Sequence, residues 1–267
     1  MIGPAPAKIN LALVVGPRRG DGKHELATVY QRVDLGDRVT VEPADETTVE
    51  GFPEDTIVRA ALASLDAQHG WRVRIEKHTP VAAGLGGGSS DAATALRLAN
   101  AQLASPKTAD ALHELAAHAG ADVPFFLRDG PQLGTGDGTQ LEPLDLPQDF
   151  VVVLLLPKGA AKQSTAQVYA AFDERGGEQG YDERLASLRA ALAAVRRPRD
   201  LAALPPNDLA SSPLAGELLA LGSFRADISG AGPIVYGLFH RIVDAQDAAR
   251  ALRRLGRTWV TVPAWYG

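Results

Sequence analysis

The chain has no cysteine, which excludes disulfides and any thiolate metal site. It has no run of five or more like charges, and its net charge is −5. A surface that holds nucleic acid by neutralising phosphates is therefore not expected. No long uncharged apolar span is present; the stretch from Phe150 to Pro157 is too short to cross a bilayer. No signal-peptide pattern opens the sequence, so a soluble, cytoplasmic protein is expected. Internal repeats are also missing. What is present is 267 residues, 45 % of them apolar, enough for one large domain or two modest ones.

The most informative stretch is Pro80-Val81-Ala82-Ala83-Gly84-Leu85-Gly86-Gly87-Gly88-Ser89-Ser90-Asp91. The alternating run Trp71 to Glu76 predicts a strand before it, and the Ala- and Leu-rich run Ala92 to Ala101 predicts a helix after it. The glycines therefore fall in a strand-to-helix connection, where a ligand can approach the backbone closely. Ser89, Ser90 and Asp91 are suited to cap the helix. A helix start with free N–H groups is an anion site, most often for phosphate. The alternative is a flexible loop before an ordinary capped helix. A Walker A loop is excluded because no lysine follows the last glycine, and a dinucleotide fingerprint because no acidic residue ends a strand about twenty residues on.

Ala5 to Val15 predicts a strand with Lys8 and Asn10 on one face and Ile9, Leu11 and Leu13 on the other. By itself Lys8 reads as a solvated charge and Asn10 as an edge or turn group. A long polar loop, Gly16 to Leu26, precedes two short strands, Ala27 to Val33 and Asp37 to Glu42; loops of that length are often functional. Helices are expected from Thr56 to Ala67 and after Thr108, the latter ending at Gly120. Asp122 admits two readings: an N-cap with Pro124 in the first turn, or a carboxylate presented beside the phosphate loop. Gly134 to Gly138 predicts a turn between paired strands. The segment Leu144 to Asp149 is the best domain boundary. Beyond it a strand, helices, a strand–turn–strand unit around Gly230-Ala231-Gly232-Pro233, a helix and a last strand suggest an α+β sandwich.

Four ordered segments carry a resemblance: Pro6-Ala7-Lys8-Ile9-Asn10-Leu11, Gly84 through Ala93, Gly120-Ala121-Asp122-Val123-Pro124-Phe125, and Ser229-Gly230-Ala231-Gly232-Pro233. Together they resemble the GHMP kinases, named for galactose, homoserine, mevalonate and phosphomevalonate kinases. The doubled glycines before Ser89-Ser90, with Asp21-Gly22-Lys23-His24-Glu25-Leu26, narrow the likeness to the branch acting on a cytidine diphosphate methylerythritol in the non-mevalonate isoprenoid pathway. The resemblance implies a two-lobed α+β fold. An N-terminal ATP-binding and catalytic lobe, residues 1–148, would resemble ribosomal protein S5 domain 2. A C-terminal lobe, residues 149–267, would be ferredoxin-like.

It further implies transfer of the γ-phosphoryl of ATP, with Mg2+ whose ligands stay open, to an alcohol of a small molecule. Lys8 and Asp122 would be the catalytic pair. Pro80, Ala82, Gly84, Leu85, Gly86, Gly87, Gly88, Ser89 and Ser90 would line the nucleotide, with Asp55 near the adenine and Ser90 touching phosphate or metal. Asn10, Lys23, His24, Tyr169, Gly230 and Gly232 would serve the acceptor substrate, its cytidine end near His24.

Three positions depart from the pattern. Lys23 stands where a tyrosine would stack on the cytosine, a loss of ~1–3 kcal/mol that Lys23 could offset by a phosphate contact and Tyr169 by stacking from the other side. Asp55 replaces an asparagine, and a carboxylate cannot donate. Ala231 replaces a hydroxyl residue. Lys23 also keeps open another kinase of the superfamily with a different alcohol acceptor, against which His24 and the doubled glycines argue. A non-catalytic RNA binder with the S5-like fold would need a basic surface, which the net charge does not offer.

Overall fold

The structure is a computed structural model describing residues 1–52, 55–66, 69–160 and 164–264. Its backbone element is the antiparallel hairpin of β1 (Ile2–Arg18) and β2 (His24–Ala44). The expected long loop is in fact a tight turn over residues 19–23, because Arg18 already pairs with His24. Gly22 at φ +82° and the Asp21 carboxylate, which accepts from the Lys23 N–H at 3.0 Å, let the chain reverse there. The two strands expected at 27–33 and 37–42 are likewise one strand. A register shift between Pro6 and Ala7 leaves residues 34 and 35 as extra residues on β2, so β2 bends rather than ends.

β2 pairs β1 along one edge; along the other it pairs β4 (Gly70–Glu76) and β5 (Gln132–Thr135). β3 (Thr48–Glu50) and β6 (Gln140–Pro143) complete a six-stranded sheet. Helices α1 (Ile57–Leu65), α2 (Gly87–Asn100) and α3 (Ala109–Ala119) share a core with this sheet, built from residues such as Val39, Val41, Trp71, Leu62 and Leu96. The α1 helix ends before Ala67, which lies outside the described residues. Thr108 caps α3, its hydroxyl accepting from the Ala111 N–H, as its sequence position suggests.

A second, antiparallel sheet has the order β10-β7-β9-β8, with β7 (Val151–Pro157), β8 (Arg225–Ile228), β9 (Val235–Phe239) and β10 (Gly256–Thr261). Period-two alternation assigns its faces. Val152 and Leu154 of β7 join Tyr236, the helix α5 (Tyr181–Ala194) and residues 7, 9 and 11 of β1 in one core. Val151, Val153 and Leu155 join α6 (Pro213–Ala220) and α7 (Ile242–Leu252) in another. Each fully buried aliphatic side chain stabilises this packing by about 1.5–3 kcal/mol. The shared core brings β1, the glycine connection and the 229–232 turn together: Ser229 Oγ donates to the Gly84 carbonyl at 2.9 Å and lies 3.3 Å from the Asn10 N–H that donates to it.

Candidate active site

A cleft of about 860 Å³ is lined by Lys8, Asn10, His24 and Tyr30 of the first sheet, by Asp122 in the turn after α3, by Tyr169 of helix α4 (Thr165–Glu174), and by Gly230 and Gly232 of the β8–β9 turn. Its floor is β1. Lys8 is only 3 % exposed, so it is not the solvated charge its strand position allows. Its ammonium donates to Asn10 Oδ1 at 2.7 Å and lies 3.5 Å from Asp122 Oδ2. Asn10 Nδ2 in turn donates to Thr28 Oγ1 at 2.7 Å, and Thr28 donates to the Ala12 carbonyl. This chain fixes the side-chain orientation of Asn10 and, through it, of Lys8.

Asp122 does not cap the short 3-10 turn Pro124–Leu127. Its Oδ1 accepts from the Tyr30 hydroxyl at 2.9 Å, and its Oδ2 faces Lys8. Tyr30 is pushed well above the usual phenol value by burial first and then by the Asp122 charge, so it keeps its proton and stays a donor. Nothing in the sequence around Tyr30 marks it as part of the site. The available signal was register: Tyr30 pairs Asn10, which puts both on one face of the hairpin.

The glycine connection forms the nucleotide end. Gly84 has φ +85°, and a Cβ there would lie 2.3 Å from the Ser229 carbonyl oxygen. Gly86, at φ +67°, is the residue from which α2 starts. The helix therefore begins at Gly87, five residues before the expected Ala92, and Ser89, Ser90 and Asp91 sit inside it rather than capping it. Gly86 starts the helix but, having no side chain, caps none of its N–H groups. The first N–H groups of the helix are orphans by geometry, and Gly87, Gly88 and Ser89 line the cleft with them. Pro80, Ala82, Gly84, Leu85 and Gly86 line it too; Leu85 is buried, and its main-chain carbonyl accepts from the Lys8 N–H. Ser90 does not: it is fully buried, and its Oγ has no partner among the described residues.

Asp55 lines the same end, but its Oδ1 accepts from the Val58 N–H at 2.7 Å and so caps α1. Burial raises its pKa, against the opposing pull of the helix N–H groups and Lys77. Beneath the loop, Lys77 bridges Asp37 Oδ2 at 2.5 Å and Asp91 Oδ2 at 2.8 Å. Burial pushes Asp91 up to about 7; Lys77 opposes this and the Asp37 charge adds to it.

At the opposite end, His24 Nε2 lies 2.7 Å from Asp173 Oδ1, and its ring stacks on Tyr169 at 4.9 Å. Tyr169 lines the cleft, with its ring against His24. Asp173 also accepts from Arg18; burial would raise its pKa, and the Arg18 and His24 hydrogen bonds bring it below the ordinary value. Lys23 lies at the rim, 2.5 Å from Asp137 Oδ2. Gly230 at φ +58° backs the catalytic end: a Cβ there would stand 3.3 Å from Asn10 Oδ1 and 3.5 Å from Lys8 Nζ. Among the described residues, no group of three or more His, Asp or Glu is placed to hold a metal ion.

A buried lysine and a carboxylate thus share one cleft with the N-terminus of a helix that starts at a glycine. Comparison with known proteins gives it a family. Residues 55–130 match the GHMP kinases N terminal domain. A 4-diphosphocytidyl-2-C-methyl-D-erythritol kinase from Anaeromyxobacter sp. is 39 % identical over 264 residues, covering 93 % of this chain and 85 % of its own length. The chain belongs to the 4-diphosphocytidyl-2-C-methyl-D-erythritol kinase family. The protein of that name from Thermobifida fusca is 38 % identical, with 97 % and 93 % of the two chains covered. A crystal structure of 4-(cytidine 5'-diphospho)-2C-methyl-D-erythritol kinase superposes with a TM-score of 0.76 at 34 % identity, over 99 % of this chain and all of the other. The Methanococcus jannaschii mevalonate kinase shares the fold alone, with a TM-score of 0.75 at 12 % identity over 99 % and 98 % of the two chains. The two-lobed α+β GHMP kinase fold is thus the fold of this family member.

Proposed function

We propose that the protein transfers the γ-phosphoryl of ATP to the 2-hydroxyl of 4-diphosphocytidyl-2-C-methyl-D-erythritol, an isoprenoid-precursor kinase reaction. The observation that carries this reading is the Lys8–Asp122 pair, 3.5 Å apart, in one cleft with the N-terminus of α2. The acceptor is a tertiary alcohol and a weak nucleophile at neutral pH. Asp122, oriented by Tyr30, accepts its proton through Oδ2 as attack proceeds, which contributes about 10²–10⁴-fold. Lys8, held by Asn10, keeps the hydroxyl and the carboxylate aligned and offsets developing negative charge. The loop from Gly84 to Ser89 and the orphan N–H groups of α2 cradle the phosphates, so positioning and electrostatics supply most of the remainder.

Asp55 borders the adenine end. Asn10, His24, Tyr169, Gly230 and Gly232 border the acceptor. Mg2+ would be held chiefly by nucleotide oxygens and water, Ser89 and Asp122 of the cleft lining could add side-chain oxygens, and the ion would neutralise charge on the phosphates. A division into lobes 1–148 and 149–267 is supported by the break between the last strand of the first sheet, ending at Pro143, and β7 of the second, starting at Val151. No helix among the described residues is long and apolar enough to cross a membrane, in keeping with a cytoplasmic enzyme. The test is ADP release with ATP and each of three acceptors: the cytidine diphosphate methylerythritol, mevalonate and homoserine. Turnover confined to the first supports the reading; turnover of either other acceptor in its place overturns it.

A further inference from the structure

The proposed acceptor carries a diphosphate, and the glycine loop that would cradle ATP leaves that charge unmatched. The lysines and arginines lining the cleft, among the described residues, are Lys8, Arg18, Lys23 and Lys77. Three are committed elsewhere. Lys8 is buried at the reacting end with Asn10 and Asp122. Lys77 bridges two buried carboxylates at the nucleotide end. Arg18 directs both Nε and Nη2 at Asp173, the carboxylate that also holds His24, so its guanidinium is tied to that carboxylate by two bonds even though Nη1 is left over.

Lys23 differs. Its side chain is 55 % exposed and meets one carboxylate, Asp137. An ammonium has three donors, so two remain for a ligand. Its base is fixed from both sides. Asp137 is only 15 % exposed in its side chain, and its Oδ1 accepts from the Thr139 hydroxyl at 2.7 Å. The turn that carries Asp137 is tied to the hairpin by the Leu26 N–H donating to the Gly136 carbonyl at 2.8 Å. Lys23 also adjoins His24, which lines the same cleft.

We propose that Lys23 is a specificity-determining residue that binds the diphosphate of the acceptor, with Asp137 as the positioning residue that holds its ammonium at the cleft wall. This rests on the acceptor assigned above. Burial alone would raise the pKa of Asp137, and the hydrogen bonds from Lys23 and Thr139 lower it, so the anchor stays charged.

The test is steady-state kinetics with ATP and the cytidine diphosphate methylerythritol, at low and high salt. Lys23→Met keeps the aliphatic stem and removes the charge. Its acceptor KM rises roughly tenfold, with kcat within about a factor of two and the KM for ATP unchanged. The rise of acceptor KM with salt expected of the wild type flattens in this variant, and Lys23→Arg restores both. Asp137→Asn raises acceptor KM by less, and adds nothing to Lys23→Met in the double variant, because it acts through Lys23. An acceptor KM for Lys23→Met within about a factor of two of wild type, or an equal rise in the KM for ATP, overturns the proposal. A wild-type chain that does not phosphorylate this acceptor overturns the parent reading first and this one with it.

Discussion

Tyr30 governs how Asp122 presents itself. Its hydroxyl occupies Oδ1, leaving Oδ2 as the oxygen that faces Lys8 and the space where an alcohol would sit. A phenol whose pKa is raised by burial and by the carboxylate beside it stays protonated across the working range, so this orientation does not switch with pH. Tyr30→Phe removes one hydrogen bond to a charged group, worth about 1.5–3 kcal/mol. If that loss falls on the transition state, kcat drops roughly ten- to hundredfold with little change in the KM for ATP. Initial-rate measurements at saturating ATP read this directly; an unchanged kcat would show that Tyr30 does not orient the base.

The strand-to-helix connection is the element on which the nucleotide end depends. Its position was legible because an alternating run, a block of glycines and an Ala-rich run follow one another in that order. The start of its helix was not. Ser89, Ser90 and Asp91 have the chemistry of caps, but Gly86 reaches the left-handed region first, and the helix begins behind it. The same limit hid the length of β2, since nothing local to residues 34 and 35 says that the strand resumes after they bulge out of register. Gly84→Ala forces a Cβ to within 2.3 Å of a backbone oxygen at φ +85°. It lowers stability by about 1–3 kcal/mol and, by displacing the loop, lowers kcat/KM for ATP on the order of a hundredfold.

Beneath that loop, Lys77→Met would leave two fully buried carboxylates, Asp37 and Asp91, without their shared cation. A loss of about 3–5 kcal/mol is expected, read by urea denaturation. Asp91 also sets a pH slope. Its pKa, pushed up to about 7 in the folded protein, lies above that of the unfolded chain. Its contribution is therefore fully present below the usual carboxylate pKa of about 3.9 and is lost as pH rises through the folded value. Between about pH 5 and pH 8 the wild type loses more unfolding free energy than Asp91→Asn does. Equal slopes would contradict this assignment.

At the scale of the whole molecule, the site exists because two sheets share one core. Ile9 and Leu11 of β1 and Leu154 and Tyr236 of the second sheet are fully buried in it, which holds the 229–232 turn against the Lys8 end of the first sheet. Asn207 fixes the 228–230 segment, donating to the Ile228 and Gly230 carbonyls, and the Asp208 N–H beside it reaches β1 by donating to the Leu13 carbonyl at 2.9 Å. None of these long-range contacts is readable from local periodicity. The sequence carried the ordered motifs, and with them Lys8 and Asp122, whereas Tyr30, Lys77, Asp137 and Asp173 became visible only when the chain closed on itself. The measurement that bears most directly on the whole is ATP-dependent phosphorylation of 4-diphosphocytidyl-2-C-methyl-D-erythritol by the wild type and by Asp122→Asn, followed by ADP release. A base at Asp122 predicts turnover by the wild type and a loss of about 10²–10⁴-fold in kcat for a variant that remains folded. An Asp122→Asn enzyme with wild-type kcat would contradict it.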